Sequence, residues 1–400
     1  MARILFTWEC GGGLGHLVFY SELIDRLTQD GHKVMFAVRS LASAVRVFGD
    51  RPVALIQAPL RMELLAGGVP SPRSYLHVLR NQGFASPDGL LGRFRAWMAI
   101  YEAWQPELIV ADHAPTAVFT AKHYGRARLV MSGGGFMVPP DTHPFQAFPI
   151  EPMASEQDRL AEEQSFLERH INPHMRSVGG KPYDRLCDAF RVDSHWLCQF
   201  RETDHYPQRG PTNYLGTGPS PGGESPVWPA GEGPKLFAYI KPHSDLETLL
   251  ELIRGKGMPT LIKGDELPPA IEQRFTGPTM RFADKLQDMV EVTRICDLGI
   301  TNGSVNVSSL FLRAGKPVLM MPLHVEQLIS SNMIERNGCG ISVDYLAKPD
   351  FCYETALADL LAPDNRYRKA AQDYAERHSD YDPGEAVDFM YADVNRLLEN

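Results

Sequence analysis

The sequence predicts an α/β protein of two domains, each a parallel sheet with helices on both faces. Three observations predict it. Short apolar runs alternate with helical stretches along nearly the whole chain. A Gly/Pro-rich stretch at 216–234 interrupts the alternation, which then restarts. In each half an apolar run leads into a glycine-containing polar turn that opens a helix, the place where such folds hold anionic or polar ligands. At 400 residues the chain is too long for one ordinary domain and comfortable for two.

In the first half, Ile4–Trp8 is apolar and continuous, as a strand buried on both faces must be. Leu17–Gln29 follows with Leu17, Leu23, Ile24 and Leu27 at helical spacing and stops before Gly31. Strands are predicted at Lys33–Val38, Val53–Gln57, Leu108–Ala111 and Leu129–Met131, and helices at Asp88–Trp104 and Glu151–Val178. Residues 216–234 cannot hold a regular element and are predicted to link domains 1–215 and 235–380. The second half offers strands Leu236–Ile240, Thr260–Ile262, Leu298–Thr301 and Val318–Met321, with helices Asp245–Ile253, Tyr353–Leu361 and Arg366–Arg377. The last helix starts at Pro383, and segment 381–400 is predicted to return to the first domain.

The composition narrows the function classes. A hydrophobic content of 44% and a charged content of 22% are those of a globular chain. A net charge of −9 argues against a nucleic-acid partner, which needs a basic face. No run is long and apolar enough to span a bilayer, and Arg3–Trp8 reads as a strand rather than a signal peptide. The six cysteines lie scattered with no CxxC pair and read as free thiols, so the expected location is the cytoplasm, at most peripheral to a membrane. No His/Cys group has zinc-ligand spacing, and no metal is expected.

The chemistry concentrates at two turns. In Glu9-Cys10-Gly11-Gly12-Gly13-Leu14-Gly15-His16 the glycines let backbone approach a ligand, and the helix behind them aims N–H groups at the same spot. His16 stands at that helix start, where the dipole favours a neutral, proton-accepting imidazole. Asp112 ends an apolar strand on the same rim. It reads either as the partner that fixes the His16 tautomer or as the N-cap of the helix at Pro115; His113 is a rival partner. In the second half Asn302-Gly303-Ser304-Val305-Asn306 opens a helix whose amides suit a diphosphate. Glu326-Gln327, just past Pro322, pairs a carboxylate with an amide, a combination suited to vicinal sugar hydroxyls. Lys241 and His243 end the first strand of the second half and are further candidates to meet phosphate. Two such sites in one chain point to a sugar-nucleotide enzyme.

With these residues the chain resembles the GT-B glycosyltransferases, especially those of plant secondary metabolites and bacterial macrolides; its glycine loop is also similar to that of the muramyl-peptide N-acetylglucosaminyltransferases. The motifs are Gly15-His16, Val110-Ala111-Asp112, and the series Asn302-Gly303-Ser304, Gly315-Lys316-Pro317, Pro322, Glu326-Gln327. Asn302 stands where the family has a donor-phosphate His, and Leu310 where it has a ribose-binding Glu. No base-stacking Trp occurs between Arg281 and Val290, and Phe19 or Tyr20 replaces the proline usual after Gly-His.

The resemblance implies two Rossmann-like domains facing across a cleft and metal-independent, inverting transfer of a hexose-type sugar. The donor would be a nucleotide sugar, UDP- or dTDP-linked, and the acceptor a small-molecule, glycan or lipid-linked hydroxyl. Catalysis falls to His16 and Asp112. Gly12, Gly13, Gly15, Gly134 and Phe136 would bind acceptor, with Phe136, Phe145 and Phe148 as an apolar wall. Asn302, Gly303, Ser304, Asn306, Glu326, Gln327, Lys241 and His243 would bind donor. The alternatives are another GT-B sugar-nucleotide enzyme, an epimerase or hydrolase, and a catalytically silent binding protein of the same fold.

Overall fold

A computed structural model describes residues 1–63, 68–218, 222–345 and 347–399. Its twelve strands form two six-stranded sheets, and every strand pair within them is parallel. In the first unit these are β1 (Arg3–Trp8), β2 (Lys33–Val38), β3 (Val53–Gln57), β4 (Leu108–Asp112), β5 (Arg128–Gly133) and β6 (Ser194–Leu197), ordered β3-β2-β1-β4-β5-β6. In the second they are β7 (Leu236–Ile240), β8 (Thr260–Gly264), β9 (Met280–Phe282), β10 (Leu298–Thr301), β11 (Val318–Met320) and β12 (Gly340–Ser342), ordered β12-β11-β10-β7-β8-β9. Renumbered within the unit, the second order is the first over again. The order reverses between β1 and β4 and between β7 and β10. At such a point the two crossovers leave in opposite directions and open a crevice beyond the carboxyl ends of the strands.

Alternation along the strands builds the cores. In the second unit Leu236, Ala238 and Ile240 face one apolar cluster with Leu298, Ile300, Leu319 and Met321. Phe237 faces a different cluster with Leu261, Val318 and Met320 on the other side of the sheet. In the first unit Ile4, Phe6 and Trp8 pack with Leu17, Tyr20, Leu23, Ile24 and Leu27 of the helix Gly15–Gln29. That helix stops where Gly31 takes φ +82° and His32 N–H bonds back to the Leu27 carbonyl at 3.0 Å.

The last helix, Pro383–Glu399, belongs to the first unit. It buries Ala386, Val387, Met390, Val394 and Leu397 in the Ile4–Phe6 cluster, and its buried Asp393 accepts the Trp196 indole N–H at 2.8 Å. Its exposed ion pair Arg26–Asp388 is worth about 0–1 kcal/mol, against about 1.5–3 kcal/mol for each large apolar side chain buried. The apolar face therefore docks this helix.

The domain boundaries differ from the expected ones. Unit one comprises Met1–Gln199, His205–Gly216 and Pro383–Asn400; unit two comprises Phe200–Asp204 and Thr217–Asp382. The described part of the Gly/Pro-rich run is no free linker. Glu224 pairs in parallel with Gln287: its N–H reaches the Leu286 carbonyl at 2.9 Å and its carbonyl accepts Asp288 N–H at 2.8 Å. Gly223 lies so close that a β-carbon there would stand 2.3 Å from the Gln287 carbonyl carbon, and Trp228 packs against the second unit's core. Phe200 joins the second unit by its ring contacts with Tyr374, His378 and Tyr381. The predicted helix Glu151–Val178 begins later, at Glu156, where Ser155 caps the Asp158 N–H, and it is broken by a wide π-type turn at Leu167–Ile171.

Among the described residues no helix is long and apolar enough to cross a membrane.

Candidate active site

The carboxyl ends of β1 and β4 are adjacent, with Trp8 opposite Asp112 in the ladder. β1 runs on into the glycine loop and His16; β4 ends at Asp112. The His16 Nδ1–H donates to Asp112 Oδ2 at 2.9 Å, and the two side chains are only 13% and 6% exposed. With its Nδ1 committed to the carboxylate, the imidazole presents Nε2 as the basic nitrogen. Trp8 stacks on the His16 ring at 5.0 Å and 19°, and its own indole N–H is fixed on the Cys10 carbonyl at 2.7 Å. The ring plane is therefore set by packing and its tautomer by a hydrogen bond.

The glycine loop clears space for that ring. Gly11 has φ +81°, and a β-carbon on it would stand 3.0 Å from His16 Nε2. Gly12 and Gly13 face open space, so nothing in the protein demands small residues there, although Gly13 at φ +90° is conformationally required. Gly15 starts the helix and is exposed.

Asp112 is not a helix cap. The N-cap of the helix Pro115–Tyr124 is Ala114, and no side chain of its own caps it. Its first amides go instead to Glu9, a buried residue immediately after β1: Oε2 accepts Thr116 N–H at 3.1 Å and Oε1 accepts Ala117 N–H at 2.6 Å. Glu9 and Trp8 are neighbours of the His16–Asp112 pair that sequence reasoning missed. Their signal was an acid and an indole at the exit of an apolar strand, directly before the glycines.

Of the aromatics expected to line an acceptor, Phe145 and Phe148 are core side chains, 1% and 0% exposed. Phe136, 7% exposed, stacks on Phe148 at 5.0 Å. The three form packing inside the first unit rather than an open wall. Beside Gly134, Gln199 Oε1 accepts the Gly135 N–H at 2.9 Å, and a β-carbon on Gly134 would stand 3.2 Å from the same oxygen.

In the second unit the equivalent rim gathers Lys241, His243, Asn302, Gly303 and Ser304. Asn302 is spent on the scaffold: Oδ1 accepts the Lys241 N–H at 2.9 Å and Nδ2 donates to the Met321 carbonyl at 3.0 Å. It ties the ends of β7, β10 and β11 together and keeps one further Nδ2 hydrogen beyond these two bonds. Gly303 has φ +76°, and a β-carbon there would lie 2.0 Å from Ser331 Oγ and 2.9 Å from the Gln327 carbonyl. Ser304 makes no side-chain cap, so the first amides of the helix Val305–Arg313 have no cap from it; Asn306 is exposed in the first turn.

Lys241 Nζ pairs with Asp265 at 3.0 Å, and His243 Nδ1 accepts the Asp245 N–H at 3.1 Å. Burial lowers the His243 imidazole below its usual range. Glu326 is half-buried in the first turn of the helix Val325–Arg336, and Gln327 Oε1 accepts the Leu323 N–H at 2.9 Å. At His324, the N-cap position of that helix, desolvation and then the Lys241 charge lower the imidazole below its usual range; it too went unread in the sequence.

No protein-family model and no curated protein sequence matches the chain. Solved structures do. The glycotransferase of kitacinnamycin aligns with TM-score 0.69 at 17% identity, over 99% of both chains. The calicheamicin glycosyltransferase CalG4 aligns with TM-score 0.66 at 15% identity, over 99% of both chains. The spinosyn rhamnosyltransferase SpnG, solved with thymidine diphosphate and with spinosyn aglycone, aligns with TM-score 0.61 at 18% identity over the whole of both chains. The chain therefore has the GT-B fold.

Proposed function

We propose that the protein is an inverting glycosyltransferase that moves a sugar from a nucleoside-diphosphate donor to a hydroxyl of a small-molecule acceptor. The observation that carries this reading is the His16 Nδ1–Asp112 bond at the strand-order reversal of the first unit. In the mechanism, His16 Nε2 takes the acceptor proton as the oxygen attacks the anomeric carbon. Asp112 holds the productive tautomer and stabilises the imidazolium that forms. A single displacement inverts the anomeric centre.

The leaving diphosphate is received by the second unit. The amides at the start of the helix Val305–Arg313 and the ammonium of Lys241 offer fixed positive ends where charge grows. Glu326 and Gln327 hold the sugar hydroxyls. Thymidine diphosphate in the spinosyn enzyme supports a dTDP- or UDP-linked donor here, and its aglycone complex supports a small-molecule acceptor.

One observation favours a silent relative that binds without turnover: both polar atoms of Asn302, which stands in the donor motif, already bond backbone, leaving only a second Nδ2 hydrogen and Oδ1 lone pair for a ligand. A panel of UDP-, dTDP-, GDP- and ADP-sugars read by thermal shift, followed by turnover of the stabilising donor with wild type and His16→Ala, separates the two. A native-state ligand raises Tm. Donor stabilisation with turnover lost in His16→Ala supports the transferase; stabilisation without turnover in wild type supports the binder.

A further inference from the structure

Beyond the last paired residues of β1 and β4, Trp8 and Asp112, the sheet no longer holds the two chains together. The segments that follow carry His16 on one side and the start of the helix Pro115–Tyr124 on the other. Two connections bridge them. The Cys10 N–H donates to the His113 carbonyl at 3.1 Å, and the Glu9 side chain accepts the amides of Thr116 and Ala117. Glu9 is held from two further directions: Trp97 Nε1–H donates to Oε1 at 2.7 Å and Arg39 Nη1–H donates to its carbonyl at 3.0 Å.

The Thr116 and Ala117 amides and the Trp97 indole can only donate, and the Thr116 hydroxyl also bonds the carboxylate. A carboxylate met mainly by donors holds them best in its ionised form. Burial raises the Glu9 carboxyl from 4.5 to a net value of about 7, a rise already held back by the hydrogen bonds from Thr116, Ala117 and Trp97. The chain between Asp112 and the helix is itself held against its preference, with His113 in the left-handed region at φ +44°. A non-glycine residue keeps such a conformation only where its surroundings over-determine it. Glu9 supplies part of that constraint.

We propose that Glu9 is a positioning residue: its carboxylate fastens the exit of β1 to the helix after β4, and so sets the hydrogen bond between His16 and Asp112. The proposal rests on the reading of these two residues as a base and its partner. It goes beyond that reading in placing the control of the pair on a residue whose carboxylate bonds Thr116, Ala117 and Trp97.

The test is a nitrogen-15 NMR measurement of the neutral His16 ring in wild type, Glu9→Gln and Trp97→Phe, with the His16 signal assigned by its absence in His16→Ala. Gln retains the shape of Glu but turns an NH₂ donor against the donors that surround it. Wild type is expected to carry its proton on Nδ1 alone. Glu9→Gln is expected to lose that single tautomer and give an exchanging mixture, and Trp97→Phe, which removes one donor to Oε1, a smaller change in the same direction. An unchanged Nδ1–H tautomer in Glu9→Gln, with only a lower Tm, would overturn the proposal and leave Glu9 a helix cap. Where Glu9→Gln does not fold, Trp97→Phe decides by the same criterion. A wild-type ring protonated on Nε2 would instead break the pairing of His16 with Asp112, and the role of Glu9 with it.

Discussion

Asn302 Oδ1 accepts the backbone N–H of Lys241 at 2.9 Å, at the point of the second sheet that corresponds to the His16–Asp112 contact in the first. The same strand order thus produces two junctions with opposite uses. In the first unit the junction holds an imidazole bonded to a carboxylate, the pair proposed to accept a proton. In the second it holds a neutral amide that joins β7 to β10 and, through the Met321 carbonyl, to the end of β11.

That difference makes Asn302→Ala informative. Asn302 is 6% exposed, and its removal leaves a backbone donor and a backbone acceptor without their partner. A buried polar group left unsatisfied costs about 1–3 kcal/mol. The variant is expected to lose several degrees of Tm, and to bind a donor nucleotide with unchanged affinity once folded. Calorimetric melting and nucleotide titration check it; normal Tm with lost nucleotide affinity would make Asn302 a ligand.

Gly11 is required twice over, by its backbone and by the ring beside it. An alanine there pays about 1–2 kcal/mol for the left-handed backbone and drives its methyl to within 3.0 Å of His16 Nε2. For the proposed transferase, Gly11→Ala is expected to lower kcat by ~100-fold or more, because a displacement of about 1 Å at a reacting group has that effect. Gly12→Ala is the control: no protein atom lies within 4 Å of its added methyl, and its stability should match wild type. Equal kcat in Gly11→Ala and wild type would remove His16 Nε2 from the chemistry.

A buried acid gives the fold a pH dependence of known sign. Glu163, 1% exposed, accepts the Phe145 N–H at 2.6 Å through Oε1, while Oε2 makes no hydrogen bond and lies 3.7 Å from His143 Nδ1. Burial pushes its carboxyl from 4.5 up to about 7, against the pull of the Phe145 amide and of Arg159, with Glu162 adding to the rise. The folded state therefore binds the proton more tightly than the unfolded state. The resulting stability is complete below about pH 4.5 and lost as pH rises through about 7, an effect on the order of 2–3 kcal/mol. His174, packed against Phe94 and Phe119, runs the other way: burial lowers it to about 4, and its contribution is lost as pH falls from 6.5. Comparing urea unfolding of Glu163→Gln with wild type isolates the acid. The variant should gain on wild type by about 2 kcal/mol between pH 5 and pH 8. Parallel curves would mean that Glu163 does not titrate in this range.

The central strands were the most legible parts of the fold, although the half-exposed edge strand β3 was read as well. β1, β4, β7 and β10 read as continuous apolar runs because helices cover both sides of the sheet. β6, β9 and β12 went unread, and all three are edge strands. Ser194–Leu197 begins with Ser and His, and Met280–Phe282 and Gly340–Ser342 are broken by Arg, Gly or Ser, whereas the equally short β11 is apolar throughout and was read. The pairing of His16 with Asp112 was legible because both follow apolar strands on one rim. The role of Glu9 was not, since its partners are two amides and an indole that only the folded chain brings together. The aromatics Phe136, Phe145 and Phe148 misled for a related reason: residue type alone does not distinguish a ring lining a site from one filling a core.

If Asp112 acts only through His16, the two residues must fail together. His16→Ala removes the base, and for the proposed transferase kcat is expected to fall by ~10²–10⁴-fold, the usual contribution of a positioned general base. Asp112→Asn keeps the volume but removes the charge that stabilises the imidazolium, and it should lower kcat within the same range. The double variant should be no worse than His16→Ala, because a partner has nothing to orient once the imidazole is gone. Donor-induced thermal stabilisation should persist in all three, since the donor is proposed to bind the second unit while both residues belong to the first. Steady-state kinetics across this cycle is the check. Additive losses would mean that Asp112 meets the substrate directly rather than through the ring.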